Sequence, residues 1–303
     1  VQTCALPIFG TSVSGGGMDR KLALVTGASA GIGAAFARIL ASHGYDLALT
    51  ARRVERLDAL AEEIRLRYGV ETLTVAADLA EPEAPGAILD HLTAHGRTVD
   101  CLVNNAGYGL PGTYADTLWR EQAAFIQVMT TAPCELAHRV LGGMRQRRFG
   151  RIVNVASLAG LIPGSAGHTL YAASKAFLVK FSQSLHLEAA ADGVHVSALC
   201  PGLTWSEFHD VNGTRELAAS STPPWLWMGA DEVAAAFEVP LAFVLDPANH
   251  RRHAIEVRRL ERRMPVAAEV PVPEVISKND DDVRSRSIRT ICREIQETDE
   301  HER

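Results

Sequence analysis

Two side chains in the second half of the chain have a spacing that suits proton transfer. Tyr171 and Lys175 are four residues apart in a segment of helical period, and a helix would place them on one face, one turn apart. A phenol has an ordinary pKa of about 10, which a nearby ammonium brings towards neutrality. Such a pair could protonate a carbonyl oxygen as hydride reaches its carbon. The same spacing also occurs in helices that hold a packed phenol and a solvated amine.

A glycine-rich turn near the start of the sequence could bind phosphate. It reads Thr26-Gly27-Ala28-Ser29-Ala30-Gly31-Ile32-Gly33, between a short apolar run and a segment of helical period. Glycines allow a tight turn and a close approach of backbone to a pyrophosphate. The next helix would offer free N–H donors and the positive end of its dipole. A purely structural turn is the alternative, and the position after a predicted strand makes it less favoured.

The end of the second predicted strand indicates which dinucleotide would bind. It reads Leu49-Thr50-Ala51-Arg52-Arg53, where a carboxylate would be expected to bind the ribose hydroxyls of NAD. Two arginines instead offer charge and forked donors that suit a 2′-phosphate. We predict that NADP(H) is preferred, with NAD(H) also possible. Arg52 would be the main ligand and Ser29 and Arg53 its helpers, although Arg53 could equally begin a solvated helix face.

Alternating strands and helices would position these residues. From Lys21 onward, short apolar runs alternate with longer segments of helical period, which is typical of βαβ units. The fold class predicted is α/β: a single Rossmann-like, doubly wound parallel sheet with helices on both faces. The predicted strands are Leu22–Val25, Asp46–Thr50, Thr72–Ala76, Cys101–Val103, Arg151–Val155 and Val194–Leu199, with a seventh near Ala254–Val257. The predicted helices are Gly33–His43, Val54–Tyr68, Pro82–His95, Ala115–Arg148 and Ala172–Asp192.

The two ends of the chain differ from its centre. Residues 1–17 lack a basic stretch and precede Met18, so we predict a non-native leader rather than a signal peptide. Residues 18–258 would form the NADP-binding domain. Residues 259–303 are charge-dense with few large apolar side chains, which predicts a flexible tail. A partner-binding helix around Arg284–Glu297 is the alternative.

Composition and charge favour a small-molecule role. The 303 residues are 47% hydrophobic and 22% charged, with a formal net charge of −6 and an isoelectric point near 6.0. This balance offers no basic footprint for nucleic acid or acidic lipid. Five cysteines without Cys-x-x-Cys spacing predict no disulfide framework and no metal site, and therefore a cytoplasmic protein. No apolar run approaches the roughly 20 residues of a membrane helix.

Taken in order, the motifs resemble those of the short-chain dehydrogenases/reductases. The glycine spacing is G-x-x-x-G-x-G rather than G-x-G-x-x-G. Asp78-Leu79 follows the third predicted strand, Asn104-Asn105-Ala106-Gly107 the fourth, and Pro201-Gly202 the sixth. The matching motifs lie between residues 21 and 236.

The resemblance implies a role for each matching residue. Lys175 would hold the nicotinamide ribose, Ser157 would hydrogen-bond the substrate oxygen, and Tyr171 would be the acid and base. Ser206 takes the place of a threonine that lies against the nicotinamide carboxamide. The implied catalytic residues are Ser157, Tyr171 and Lys175. The implied cofactor-binding residues are Gly27, Ser29, Ala30, Gly31, Ile32, Gly33, Arg52, Arg53, Asp78, Leu79, Asn105, Ala106, Gly107, Tyr171, Lys175, Pro201, Gly202, Thr204 and Ser206.

Met129 departs from the family pattern, which commonly has an asparagine here that holds a water for proton relay. A thioether cannot replace the donors and the acceptor of an amide. Thr130 or another group could support the relay, protons could travel by Ser157 and solvent, or catalysis could be impaired. The loop before Tyr171 is one residue longer than usual. It contains His168, which we interpret as incidental.

The predicted activity is the interconversion of a carbonyl and an alcohol. Trp205, Phe208, Trp225, Leu226 and Trp227 suggest a lid over an apolar pocket, and hence a hydrophobic ketone, aldehyde or secondary alcohol; an acyl-carrier thioester remains open. A catalytically weak or inactive dinucleotide-binding sensor or scaffold is the alternative. The resemblance implies a homodimer or homotetramer, packed through the two longest predicted helices.

Overall fold

Six parallel strands form one sheet, in the order β3-β2-β1-β4-β5-β6. The computed structural model describes residues 20–164, 166–167, 169–208, 212, 216 and 227–235. The six strands are β1 (Leu22–Thr26), β2 (Asp46–Ala51), β3 (Thr72–Ala76), β4 (Val99–Asn104), β5 (Gly150–Val155) and β6 (Val194–Leu199). Two short strands, β7 (Thr204–Trp205) and β8 (Met228–Gly229), pair separately. The central sheet and its parallel pairing confirm the predicted fold class.

Helices cover both faces of the sheet, because the central strands are apolar on both sides. On one face the core includes Phe36, Leu40 and Leu57, and on the other Ile88 and Leu136. Burying one such side chain stabilises the fold by about 1.5–3 kcal/mol. The helices are α1 (Gly31–Ser42), α2 (Val54–Tyr68), α3 (Ala84–Ala94), α4 (Trp119–Ile126), α5 (Ala132–Gln146), α6 (Thr169–Ala189) and α7 (Ala230–Ala235), and two 3₁₀ turns cover Leu158–Gly160 and Ala190–Asp192.

The strand order reverses between β1 and β4. The chain builds outward from β1 to β2 and β3, then crosses back so that β4 pairs with the other side of β1. The loops that follow β1 and β4 therefore separate, and a crevice opens at the carboxyl ends of these strands. This crevice is where the sequence motifs are expected to meet.

The prediction of one long helix over Ala115–Arg148 is wrong. A π-helical segment, Gln127–Thr131, separates α4 from α5. Pro133 has no N–H, so it cannot donate to the carbonyl of Met129 four residues earlier. The N–H of Ala132 instead bonds the carbonyl of Gln127, five residues back, which is the bond of a π-helix. The other predicted helices and the six sheet strands are present, with ends shifted by a few residues.

Buried amides connect the strands to the helix that carries Tyr171 and Lys175. The Asn104 amide donates to Asn154 Oδ1 at 2.9 Å, and the Asn154 amide donates to Ser182 Oγ at 2.8 Å. These three side chains join β4, β5 and α6. Because each bond is buried, breaking one would leave an unpaired polar group in the core, and α6 is therefore held in register with β5.

Several predictions concern residues outside the described ranges. These are the leader at residues 1–17, His168, Trp225, Leu226, the strand Ala254–Val257 and the tail at residues 259–303. Within the described part of the chain, no helix combines the length and the apolar character needed to cross a membrane.

Candidate active site

A cavity of about 930 Å³ lies at the carboxyl ends of the parallel strands. All the predicted catalytic residues and all but one of the predicted cofactor-binding residues line it. The exception is Gly33, which lies behind the glycine turn. Motifs that are far apart in the sequence are therefore brought to one crevice.

The glycine turn is shaped by two left-handed backbone positions and one close contact. Gly27 and Gly31 have φ angles of +65° and +54°, which L side chains rarely adopt. A Cβ on Gly33 would lie 2.4 Å from the carbonyl oxygen of Gly27 and 2.5 Å from the Nδ2 atom of Asn105. Gly33 is thus needed for α1 to lie against the strand ends, rather than for a direct contact with a ligand.

The Gly33→Ala substitution should weaken both the fold and the cofactor site. Its methyl group would displace backbone, which typically costs about 1–3 kcal/mol of the free energy of unfolding. NADPH affinity should fall on the order of tenfold or more, since a small misplacement of binding groups has effects of that size. Urea denaturation and NADPH fluorescence titration would measure both. Gly142→Ala is the matched control, because a Cβ there meets nothing within 4 Å.

The N-terminus of α1 faces this cavity with uncapped donors. Ala30, the residue before the helix, makes no side-chain cap, and the first turn carries no acidic side chain. The first N–H groups of a helix have no intrahelical acceptor. Together with the helix dipole they form a site for an anionic group such as a pyrophosphate.

The ends of β1 and β4 are tied together beside the glycine turn. Thr26 Oγ1 accepts from the backbone N–H groups of Asn105 at 2.9 Å and Ala106 at 3.0 Å. In return, the Asn105 amide donates to the carbonyl oxygens of Thr26 at 2.9 Å and Gly27 at 3.2 Å. The predicted Asn105 thus acts on the shape of the cavity through the backbone of the glycine turn.

The two arginines after β2 differ in their surroundings. The Arg52 side chain is 70% exposed, and its nearest carboxylate is Asp78, with an N–O distance of 3.9 Å. Arg53 donates to Ser29 Oγ at 3.0 Å and to Glu207 Oε2 at 2.8 Å. Arg52 is therefore free to turn to a phosphate, whereas the guanidinium of Arg53 is already engaged by protein groups.

The catalytic candidates lie together, on the side of the cavity opposite β2 and its two arginines. They are Ser157, Tyr171 and Lys175. Lys175 is buried and donates from Nζ to the carbonyl oxygen of Val155 at 2.7 Å. Its Nζ lies 5.8 Å from the centre of the Tyr171 ring. Ser157 Oγ accepts from the N–H of Ala159 at 3.1 Å, which fixes the serine at the end of β5. A substrate carbonyl bound above Tyr171 would thus lie close to the hydroxyl groups of Tyr171 and Ser157.

Burial is the main cause of the pKa shifts of Tyr171 and Lys175. Burial raises the pKa of Tyr171, and a hydrogen bond with Ser157 lowers it in part. Burial also lowers the pKa of Lys175 to about 8. The lowered pKa expected for Tyr171 from the sequence is therefore wrong for this structure, because removing the phenolate from water outweighs its hydrogen bond.

Met129 fills the place where the family commonly has an asparagine. It is 1% exposed and lies in the π-helical segment. A Cβ on Gly107 would be 3.0 Å from Met129 Sδ and 3.8 Å from Lys175 Nζ, so the thioether flanks the same glycine as the lysine. The Thr130 hydroxyl donates to the carbonyl of Ile126 at 2.6 Å and keeps its acceptor sites, so Thr130 stays a candidate for the relay.

Three residues after β7 line the cavity and were missed as binding groups. The Phe208 ring lies 5.6 Å from the Tyr171 ring, centre to centre. Asn212 Oδ1 accepts from the N–H of Gly109 at 2.9 Å, and Glu207 bonds Arg53. Phe208 was predicted only as part of an apolar lid. No local pattern marks Glu207 or Asn212, since each contact joins residues more than 100 positions apart.

Comparison with known proteins identifies the family of the chain. The family model described as short chain dehydrogenase matches residues 21–216. The very-long-chain 3-oxoacyl-CoA reductase of Anas platyrhynchos is 40% identical over 185 residues, which are 59% of this chain. The match spans 58% of the duck protein's own length.

Two solved structures share the fold at moderate identity. A short-chain dehydrogenase from Sphingobium yanoikuyae in complex with NADPH is 31% identical, with a TM-score of 0.67 over 83% of this chain and 99% of that one. The bulky-bulky ketone specific alcohol dehydrogenase from Comamonas testosteroni is 30% identical, with a TM-score of 0.65 over 84% of this chain and 100% of that one. The match to the family model over residues 21–216 shows that the chain belongs to the short-chain dehydrogenase family of oxidoreductases.

Proposed function

We propose that the chain is an NADP(H)-dependent oxidoreductase that interconverts a hydrophobic ketone or aldehyde and the corresponding alcohol. The observation that carries this proposal is one cavity lined by both the phosphate-binding turn and the Ser157, Tyr171 and Lys175 side chains. The NADPH complex of the Sphingobium relative supports the cofactor. When bound, NADP(H) would supply or accept the hydride.

The residues present suit a phosphorylated dinucleotide. The uncapped N-terminus of α1 would hold the pyrophosphate, and the exposed Arg52 would hold the 2′-phosphate. Asp78 and Leu79, next to Arg52 in the cavity wall, would hold the adenine. The segment Pro201–Ser206 would lie against the nicotinamide end. These positions would leave the reacting carbon near Tyr171.

Tyr171 would exchange the proton that balances hydride transfer. In carbonyl reduction its O–H donates to the substrate oxygen, and in alcohol oxidation the phenolate accepts the proton. Ser157 would donate a second hydrogen bond to the same oxygen and stabilise the charge that develops there. Lys175, whose ammonium is held by the Val155 carbonyl, would favour the phenolate and bind the ribose hydroxyls.

The cavity favours an uncharged, apolar substrate. Among the cavity-lining residues that the structure describes, the cationic side chains are Arg52, Arg53 and Lys175, all assigned to the cofactor. Phe208, whose ring lies 5.6 Å from the Tyr171 ring, lines the cavity together with Leu158 and Ile162. No described cation there could hold a substrate carboxylate. The relatives named for bulky ketones and for very-long-chain 3-oxoacyl-CoA are consistent with a large apolar substrate, so the thioester class belongs in any screen.

Following NADPH absorbance across a panel of carbonyl compounds tests the proposal. The panel should hold aliphatic and aromatic ketones, aldehydes and 3-oxoacyl thioesters. We expect turnover with at least one bulky apolar carbonyl and little with charged short-chain acids. NADPH binding without turnover on any class would contradict the assigned activity.

Arg52→Ala should reduce NADPH affinity by about tenfold to a hundredfold, because a charge-assisted hydrogen bond is worth about 1.5–3 kcal/mol. NADH lacks the 2′-phosphate, and its affinity should stay within about twofold on the same argument. Fluorescence titration with both nucleotides measures the ratio. Arg67→Ala, at the far end of α2, controls for the general loss of positive charge. Equal losses for the two nucleotides would contradict the assignment of Arg52.

A non-catalytic dinucleotide-binding role is the second candidate, and Met129 favours it. This buried thioether cannot replace the donors and the acceptor of an amide, and the hydroxyl of Thr130 already donates to the carbonyl of Ile126. The retained Ser157, Tyr171 and Lys175 favour the enzyme. Quenching of tryptophan fluorescence by NADPH without turnover would identify a sensor or scaffold.

We also propose a cytoplasmic homodimer or homotetramer. Large apolar side chains on α4 and α6 are exposed, among them Trp119, Phe177 and Leu187, and aromatic side chains are enriched at interfaces. Light scattering after size exclusion would give the mass in solution, which we expect to be that of a homodimer or homotetramer. Among the residues that the structure describes, Cys101, Cys134 and Cys200 carry free thiols, which suit a reducing compartment.

A further inference from the structure

An anionic side chain lies against the arginines at the adenosine end of the cavity. Glu207 Oε2 accepts from Arg53 Nη1 at 2.8 Å, and its Oε1 accepts from Arg56. Hydrogen bonds from Arg56 and Arg53 lower the pKa of Glu207, which is therefore ionised at neutral pH. The remaining face of Arg53 donates from Nε and Nη2 to Ser29 Oγ. Each nitrogen of the Arg53 guanidinium thus has a protein acceptor.

Glu207 reaches this place from the other side of the cavity. It belongs to the segment Thr204–Phe208, which includes β7, and Arg53 lies 154 positions away in the sequence, at the start of α2. Ser206, one residue earlier, lies against Gly31 of the glycine turn, since a Cβ on Gly31 would be 3.1 Å from Ser206 Cβ. Glu207 and Arg53 both line the cavity. The carboxylate therefore lies where the sequence predicts that Ser29 and Arg53 help to bind a 2′-phosphate.

We propose that Glu207 is a cofactor-specificity residue of this chain, whose carboxylate occupies Arg53 and Arg56 as an internal anion that the 2′-phosphate of NADP(H) must replace. This inference rests on the proposed use of NADP(H). A phosphate is the only part of NADP(H) absent from NAD(H), so the competition affects one nucleotide and leaves the other unchanged. Glu207 thereby reduces the preference for NADP(H) over NAD(H) that Arg52 creates.

The exchange is feasible because the ion pairs are partly solvated. The side chains of Arg53 and Glu207 are 42% and 40% exposed, and exposed ion pairs contribute little to stability. Glutamine at position 207 would keep the size of the side chain, remove its charge and leave one acceptor oxygen for the two arginines. Arg53 and Arg56 would then be open to the phosphate without an anionic competitor. From the usual strength of two such pairs, we expect Glu207→Gln to bind NADPH about three- to tenfold more tightly.

Binding measurements without a carbonyl substrate test the inference. NADPH and NADH are titrated by nucleotide fluorescence, and 2′,5′-ADP and 5′-AMP are titrated as competitors that differ only in the 2′-phosphate. In Glu207→Gln, the affinities for NADPH and 2′,5′-ADP should both rise about three- to tenfold, and those for NADH and 5′-AMP should change less than about twofold. Glu55→Gln is the matched control, since Glu55 carries the same charge in the first turn of α2.

The outcomes separate the inference from the function on which it rests. If the wild-type chain binds 2′,5′-ADP no better than 5′-AMP, the assignment of NADP(H) fails and the role of Glu207 fails with it. If the wild-type chain prefers 2′,5′-ADP but Glu207→Gln leaves that preference unchanged or weakens it, only the inference is overturned. Equal gains in Glu207→Gln and Glu55→Gln would also overturn it, because a general change of charge would then explain the effect.

Discussion

Tyr171→Phe is expected to lower kcat/KM for carbonyl reduction by about 10²- to 10⁴-fold, the usual contribution of a positioned proton donor. The phenylalanine ring keeps the shape of the side chain and its contact with Phe208, and only the hydroxyl is lost. NADPH affinity should stay within about tenfold, because one neutral hydrogen bond contributes about 0.5–1.5 kcal/mol. Initial rates of NADPH oxidation and a fluorescence titration provide the two measurements.

The control for Tyr171→Phe is the loss of a tyrosine hydroxyl elsewhere in the fold. Tyr68→Phe removes a hydroxyl from the last residue of α2, away from the cavity, and should leave the rate unchanged. The free energy of unfolding of Tyr171→Phe should fall by no more than about 0.5–1.5 kcal/mol, since only the hydrogen bond with Ser157 is lost. Retention of more than a tenth of the wild-type rate would show that another group supplies the proton.

The fold was predictable because its causes are local. The strand residues Leu22–Thr26 are buried without exception, and a continuous apolar run is what a strand covered on both faces requires. The π-helical segment was not predicted, although its cause, Pro133, is visible in the sequence. A proline near the start of α5 is compatible with a new helix as well as with a bulge, and only the register of α4 decides between them.

The sequence predicts which residues line the candidate site better than it predicts which residues they contact. Arg53 was identified from its position after β2, but its partner Glu207 is 154 residues away and is set by the path of the chain after β6. The pKa of Tyr171 shows the same limit. The neighbouring lysine is readable from the spacing, whereas burial, which dominates the shift, depends on how closely the rest of the cavity wall approaches the ring.

Lys175→Met should remove activity while stabilising the fold at neutral pH. The side chain of Lys175 is 5% exposed, and burial lowers its pKa from 10.5 to about 8. A methionine of similar length would fill the same space without an ammonium to desolvate. This gain exceeds the loss of one hydrogen bond to the Val155 carbonyl, which is worth about 0.5–1.5 kcal/mol. The rate should fall by at least about a hundredfold, because Tyr171 would lose its cationic neighbour and the cofactor its ribose ligand. Equal loss of activity and stability would indicate a structural lysine instead.

The pH dependence of stability distinguishes these roles further. Below pH 8 the Lys175 ammonium is present in both the folded and the unfolded chain. Removing this charge from water then lowers the stability of the folded chain. Between pH 8 and 10.5 the folded chain has lost the proton that the unfolded chain still binds, so the stability of the wild-type chain rises with pH. The advantage of Lys175→Met should therefore be largest below pH 8 and decrease by up to about 3 kcal/mol across that window. Lys180→Met, on the exposed face of the same helix, should show no such decrease in urea denaturation at pH 7, 8.5 and 10. A buried ammonium that opposes folding and is nevertheless present at this position is the pattern expected of a group retained for chemistry rather than for packing.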